Sequence, residues 1–336
     1  MAHVVAHGES YDIGFAHGTA VKERLRAFLD DGAARLNHLL PTGVSVAGLS
    51  GDIAAHRAEI TRSTPRLADE LAGLAAGAGL TLDEATLLQL RREIMGYRRI
   101  PTRGDCTTYA RPGVVAQTVD LNGNLDDQIA VLEVGRGDRR ALVLSFAGLL
   151  GYLGVNSDGL AVGLNLVLGG RWRPGVPPYL AIRHVLDTAT SVGSALAALR
   201  SLPFASSRTI VLADAAETAC VEVIGDEYRV MTARESVHTN HFLAPDFTSR
   251  DELNVFARNS SLRRLRTAES SLRALPADAD AEAHFAVLSQ SPISVADDGD
   301  IRRERTVAAV VLDAKNGALH LRPGDPRLSR TRSFAL

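Results

Sequence analysis

RGDCTTYARPGVVAQTVD, residues 103–120, holds the point at which a helical sequence gives way to a strand-rich one. VVAQTV is β-branched and alternates, CTTYA reads as its partner, and Arg-Pro-Gly between them is a turn former, so the stretch reads as a tight hairpin. Cys106, one of only two cysteines in 336 residues, stands at its head.

Upstream, from about residue 15 to 98, apolar residues recur at spacings of three and four. The segments are HGTAVKERLRAFLDDGAARLNHLL (17–40), DIAAHRAEI (52–60), PRLADELAGLAAGAG (65–79) and TLDEATLLQLRREIMGYRR (81–99). Thr81 followed by Glu84 makes a helix-capping box. The spacing predicts an all-helical first third.

Downstream, VVAQTV, IAVLEV, ALVLSF and GLAVGLNLVL are strand-like runs separated by RPG, NGN, RGD and NSDG. A helix is predicted over 178–201, then strands at TIVLADA, ACVEVIG, EYRVMTA and SVHTNHF. Two helices follow over about 259–290, and TVAAVVLDAKNGALHLRPG closes the chain as a hairpin with Asn316-Gly317 at its turn. Hairpins without regular strand-helix alternation predict an α+β protein of antiparallel sheets with helices on their outer faces. The glycines at 148, 151 and 154 lack dinucleotide-binding spacing, and no helix follows them.

Composition narrows the function classes. With 37 basic and 39 acidic residues the formal net charge is -2, which argues against nucleic acid and anionic membranes as partners. ALVLSFAGLLGYLGV (141–155) is too short for a membrane span of about 20 residues and reads as two buried strands. Two cysteines make no disulfide framework, and the first residues lack the features of a secretory signal, so a cytoplasmic location is expected.

A nucleophilic Cys106 needs a base, and the nearest histidines in sequence are His56 and His184. Cleavage between Asp105 and Cys106 would supply one: the freed α-amine, with a pKa of about 7.7 to 8.0, lies within reach of its own thiol. A leader (1–105) would then precede a strand-rich body (106–336) that begins with its nucleophile. The plain alternative is a core cysteine, since cysteine is among the most buried residue types. Cys220, in TACVEVI, reads as core.

Beyond that seam, YDIGFAHG (11–18), LRREIMGY (90–97), GDCTTYA (104–110), GVNSDGLAVGLN (154–165), HTNHF (238–242), NSSLRRLR (259–266) and RTVAAVVLD (305–313) occur in order. In these segments the chain resembles the self-cleaving acyltransferases and amidohydrolases related to fungal acyl-coenzyme A:isopenicillin N acyltransferase, within the N-terminal nucleophile hydrolases. The resemblance implies a four-layer α/β/β/α fold and an autoproteolytically matured cysteine amidohydrolase that cleaves a linear amide through a Cys106 thioester. An acyltransferase passing an acyl group to an amine is the alternative.

The resemblance assigns Asp120 to hold or orient the α-amine, and Asn240 and Asn165 to the oxyanion hole. Arg305 or Arg263 would be the arginine near the thiol, with Arg305 preferred for its place before the closing hairpin. Tyr109 and Arg263 are candidates for binding a small acyl amide substrate, no metal or organic cofactor is expected, and homo-oligomers of cleaved heterodimers are compatible with the family.

The fungal enzyme has glycine where this chain has Asp105. One rival reading is therefore an uncleaved descendant that only binds a ligand; another is a thiol enzyme assisted by a histidine such as His238. Asp120 with the following NGN does not make a calcium loop, because Leu125 stands where glycine is required. His238 and His241, three apart on a strand, face opposite sides and suit hydrogen bonding better than a metal.

Overall fold

The computed structural model describes residues 1–96 and 106–336; Asp105 and the basic segment 98–103 lie outside the described residues. The first third contains five helices, α1 (Ser10–Asp30), α2 (Leu36–Leu39), α3 (Ser50–Ser63), α4 (Pro65–Ala78) and α5 (Leu82–Met95). It is not all-helical, because a strand, β1 (Ala2–His7), precedes them. The Thr81–Glu84 capping box forms as its spacing predicts.

Six strands follow: β2 (Thr107–Arg111), β3 (Val114–Leu121), β4 (Ile129–Arg136), β5 (Arg139–Phe146), β6 (Leu153–Asn156) and β7 (Ala161–Leu166). The helix predicted over 178–201 is two, α6 (Pro178–Thr188) and α7 (Val192–Arg200), because Ser191 caps a new helix, its hydroxyl accepting from Ser194 N. Next come β8 (Arg208–Ala213), β9 (Thr218–Ile224), β10 (Glu227–Ala233) and the short β11 (Ser236–His238). The helices α8 (Pro245–Thr248), α9 (Val255–Ala274) and α10 (Ala281–Leu288) lead to β12 (Arg305–Asp313), β13 (Ala318–Pro323) and β14 (Arg332–Ala335).

The strands form two sheets, one of order β1-β4-β5-β6-β7-β8-β9-β10 and the other β11-β2-β3-β12-β13-β14. They pack face to face, with α1, α6 and α7 against the first and α9 and α10 against the second, which gives the four-layer α/β/β/α fold. Period-two alternation builds this. Along β2 and β3, Ala110, Val115 and Val119 join the core between the sheets, whereas Tyr109 and Ala116 pack under α9 and α10.

The first third is packed into the body. β1 pairs in parallel with β4, Ala2 opposite Ala130. α1 and α4 run side by side in parallel, backbone to backbone, because Gly14, Gly18, Gly73 and Gly77 line the contact; a Cβ on Gly14 would lie 1.9 Å from Glu70 O. Arg183 on α6 grips buried Glu70 on α4 with bonds of 2.8 and 2.9 Å. Gln89 on α5 donates to Gly148 O and accepts from Leu150 N, fixing the loop between β5 and β6.

Candidate active site

The hairpin register decides what surrounds Cys106. Thr107 lies opposite Thr118 across the Pro112-Gly113 turn, so the end of β3 returns beside the cysteine. The backbone N–H of Asp120 donates to Cys106 Sγ at 3.5 Å, and the Tyr152 hydroxyl is 4.0 Å from the same sulfur. The Asp120 carboxylate is wholly buried, with the Thr306 hydroxyl donating to its Oδ1 at 2.6 Å.

Two cationic or amide donors meet on the Cys106 carbonyl. Asn165 Nδ2 donates to Cys106 O at 3.0 Å and Arg264 Nη1 at 2.7 Å. Asn165 reaches it because β7 lies close against the other sheet at Gly163. There Gln117 on β3 exchanges two side-chain bonds with the Leu164 backbone, and a Cβ on Gly163 would come 2.8 Å from Gln117 Oε1. Arg264 also donates to Thr107 Oγ1 at 3.1 Å and to Asn240 Oδ1 at 2.6 Å. Asn240 therefore stands one residue back from the cysteine, its own Nδ2 bonded to Leu166 O at 2.9 Å.

The loop bearing Asn240 is held from β9. Glu222, fully buried, accepts from Leu243 N at 2.6 Å and Ala244 N at 3.1 Å, and its Oε1 lies 2.8 Å from His238 Nε2. The other ring nitrogen, His238 Nδ1, is 2.8 Å from Thr239 O. His241 Nδ1 lies 2.8 Å from Ser261 Oγ, and burial, with His238, Arg258 and Arg264 nearby, pushes its pKa down to about 4. Both histidines are thus hydrogen-bonded parts of the frame.

Cys106, Asp120, Tyr152, Asn122, Leu164 and Glu304 line a cavity of about 50 Å³, walled also by Phe146, Leu149 and Tyr179 from the body and by Leu88, Arg91, Arg92 and Met95 from α5. That is room for a few waters. The larger groove, about 740 Å³, lies elsewhere, between the starts of α1 and α4 and the β4–β5 hairpin, and is lined by neither cysteine nor asparagine. Cys220 is buried in β9, where desolvation pushes its thiol up to about 12, so it is no nucleophile at neutral pH.

Of the residues singled out in the sequence, Cys106, Asp120, Asn165 and Asn240 come together. Arg263 and Arg305 do not. Arg263 is exposed on α9, and its neighbour Arg264 is the one turned inward. Arg305 points away from the cysteine to Asp126, at 2.6 Å, because consecutive strand residues face opposite sides and its neighbour Thr306 takes the Asp120 side. Tyr109 faces α10, where its hydroxyl is 3.1 Å from His284 Nδ1, and belongs to the core. Arg264 was legible as a phase: Ala257, Ser261, Arg264, Ala268 and Leu272 form the buried stripe of α9, with one arginine among small and apolar residues. Tyr152 carried no such signal.

The model of the acyl-coenzyme A:6-aminopenicillanic acid acyl-transferase family matches residues 106–328, its first matched residue being the cysteine. The 40 kDa form of acyl-coenzyme A:6-aminopenicillanic-acid-acyltransferase from Emericella nidulans is 27% identical over 269 residues, 76% of this chain and 73% of its own. Two crystal structures of mutant conjugated bile acid hydrolase from Clostridium perfringens share the fold at TM-scores of 0.50 and 0.51. They are 10% identical, with 69% of this chain and 92% and 97% of theirs covered. Their fold is that of the N-terminal nucleophile hydrolases. This chain belongs to the acyl-coenzyme A:6-aminopenicillanic acid acyl-transferase family.

Proposed function

We propose that the protein is a cysteine amidohydrolase that matures by cutting its own chain between Asp105 and Cys106. The observation that carries this reading is the ring of donors around Cys106, with Asp120 N on its sulfur and Asn165 and Arg264 on its carbonyl. In maturation the Cys106 sulfur attacks the carbonyl carbon of residue 105, the peptide nitrogen leaves as the Cys106 α-amine, and water splits the resulting thioester. In turnover the α-amine takes the thiol proton, the sulfur attacks the substrate amide, and the proton passes to the departing amine. Water then releases the acyl group as an acid. Asp120, buried and fixed by Thr306, would hold the α-ammonium.

Transfer of the acyl group to an amine in place of water is the second reading, favoured by the activity in the name of the Emericella nidulans relative. Both readings share the thioester, and both call for a small acyl amide or thioester as donor.

Intact mass under denaturing conditions, with N-terminal sequencing, tests the proposal. Two chains are expected, the larger beginning Cys106-Thr107-Thr108; a single 336-residue chain with full amidase activity would overturn it. If the Asn165 amide serves the substrate oxyanion as well as Cys106 O, Asn165→Ala lowers kcat by about 10²- to 10³-fold, the usual cost of one oxyanion donor. An unchanged kcat would remove Asn165 from the hole.

A further inference from the structure

Arg91, on α5, lines the same cavity as Cys106 and is more than nine-tenths buried. A guanidinium taken out of water needs an acid or a set of carbonyls to face. The other buried arginines have them. Arg183 holds Glu70 and Asp187, Arg208 faces Glu93, Arg111 donates to the carbonyls of Leu272, Leu275 and Pro276, and Arg264 spans Cys106 O and Asn240.

Among the described residues Arg91 has a single protein acceptor. Its Nε donates to Ala34 O at 2.8 Å and its guanidinium lies over the Phe28 ring, 5.0 Å from the centre. Buried Nη2 has no hydrogen-bond partner among those residues. Burial outweighs the favourable pull of Tyr179 and, with Arg35 and Arg92 adding to it, pushes the Arg91 pKa down to about 10, so the group stays charged at neutral pH without a counter-ion. Asp120 and Glu304 line the same cavity, yet no acid among the described residues pairs with Arg91, so its guanidinium is open to an anion from outside. The space beside Arg91, about 50 Å³, has room for a group the size of a carboxylate.

We propose that Arg91 is the anion subsite of this cavity, and that the acyl amide substrate carries a carboxylate which pairs with it. The inference rests on the amidase reading above. It makes the leader a part of substrate recognition, because Arg91 precedes the expected cut. The carboxylate could sit on the acyl or on the amine half, and the choice of substrates separates the two.

The test compares kcat/KM of the purified enzyme for phenylacetylglycine, with its acid on the amine half, glutarylglycinamide, with its acid on the acyl half, and neutral phenylacetylglycinamide. The wild-type protein should prefer one of the acids over the neutral compound by about 10- to 100-fold, mostly through KM, as a charge-assisted hydrogen bond predicts. Arg91→Met should bring that ratio to about one and Arg91→Lys should restore part of it. Equal turnover of acids and neutral compound by the wild type, or a ratio that Arg91→Met leaves intact, would overturn the subsite while sparing the amidase reading.

If none of the three is hydrolysed, the melting temperature decides. A rise with phenylacetylglycine or glutarylglycinamide that Arg91→Met abolishes keeps the subsite and sinks the amidase; an equal rise in both proteins, or none in either, sinks the subsite.

Discussion

Cys106→Ala is expected to give one uncut chain with no measurable turnover, a loss in kcat on the order of 10⁶ for removal of a covalent nucleophile. Both defects have one origin, because the atom that would open the 105–106 bond is the atom that would accept the acyl group. The variant should fold, since cysteine to alanine removes one atom next to a cavity that already holds space. Mass and N-terminal sequence read the first defect, and acyl release from an N-acyl substrate reads the second. Two normal-sized fragments from the alanine variant would mean that another residue cuts the chain. An uncut chain that still turns over would leave Cys106 a core residue.

The second largest effect is expected at Arg264. Its guanidinium is fully buried and joins Cys106 O, Thr107 Oγ1 and Asn240 Oδ1, so one side chain sets the cysteine carbonyl and the asparagine loop in register. Arg264→Met takes the donor from Asn240 Oδ1 and Thr107 Oγ1 and leaves Cys106 O to Asn165 alone, at about 1–3 kcal/mol for each acceptor left unpaired before relaxation. A clear fall in melting temperature should accompany a loss in kcat of at least about 10³-fold, more than a single donor supplies. The control is Arg263→Met, one position along the helix and exposed, which should change neither quantity. Equal losses at both positions would show that α9 is being destabilised as a whole, and would withdraw Arg264 from the site.

That pair of positions also shows how far the sequence could be read. Cys106, Asp120 and the turn between them were legible because a hairpin is local: Pro112-Gly113 fixes a register that needs no distant information. The capping box at Thr81 was legible for the same reason. Choosing Arg264 over Arg263, or Thr306 over Arg305, needed the phase of a helix or strand, which follows from the apolar stripe in the first case and from period-two alternation in the second. Tyr109 could have been set aside by the same alternation, being odd where Cys106 and Thr108 are even.

β1 was beyond reach. AHVVAH is short, its alternation is shallow, and its partner Ala130–Gly135 lies more than a hundred residues away in parallel register. Nor does spacing reveal that Glu222 braces the Asn240 loop, since that contact exists only once two sheets have stacked.

The place of β1 has a consequence for the lifetime of a cut enzyme. Once the 105–106 bond is open, an outer strand of the larger sheet belongs to a separate molecule, and folding becomes association: melting should shift upward with protein concentration, as in any heterodimer. The ladder to β4, the α1–α4 pair and the Arg183–Glu70 clasp set how slowly the small fragment departs. Its departure would bare the edge of β4, and an uncovered edge strand is a template for pairing with other copies. Dilution would then cost activity and solubility in a single event, and aggregation of the large fragment would be the visible end of dissociation.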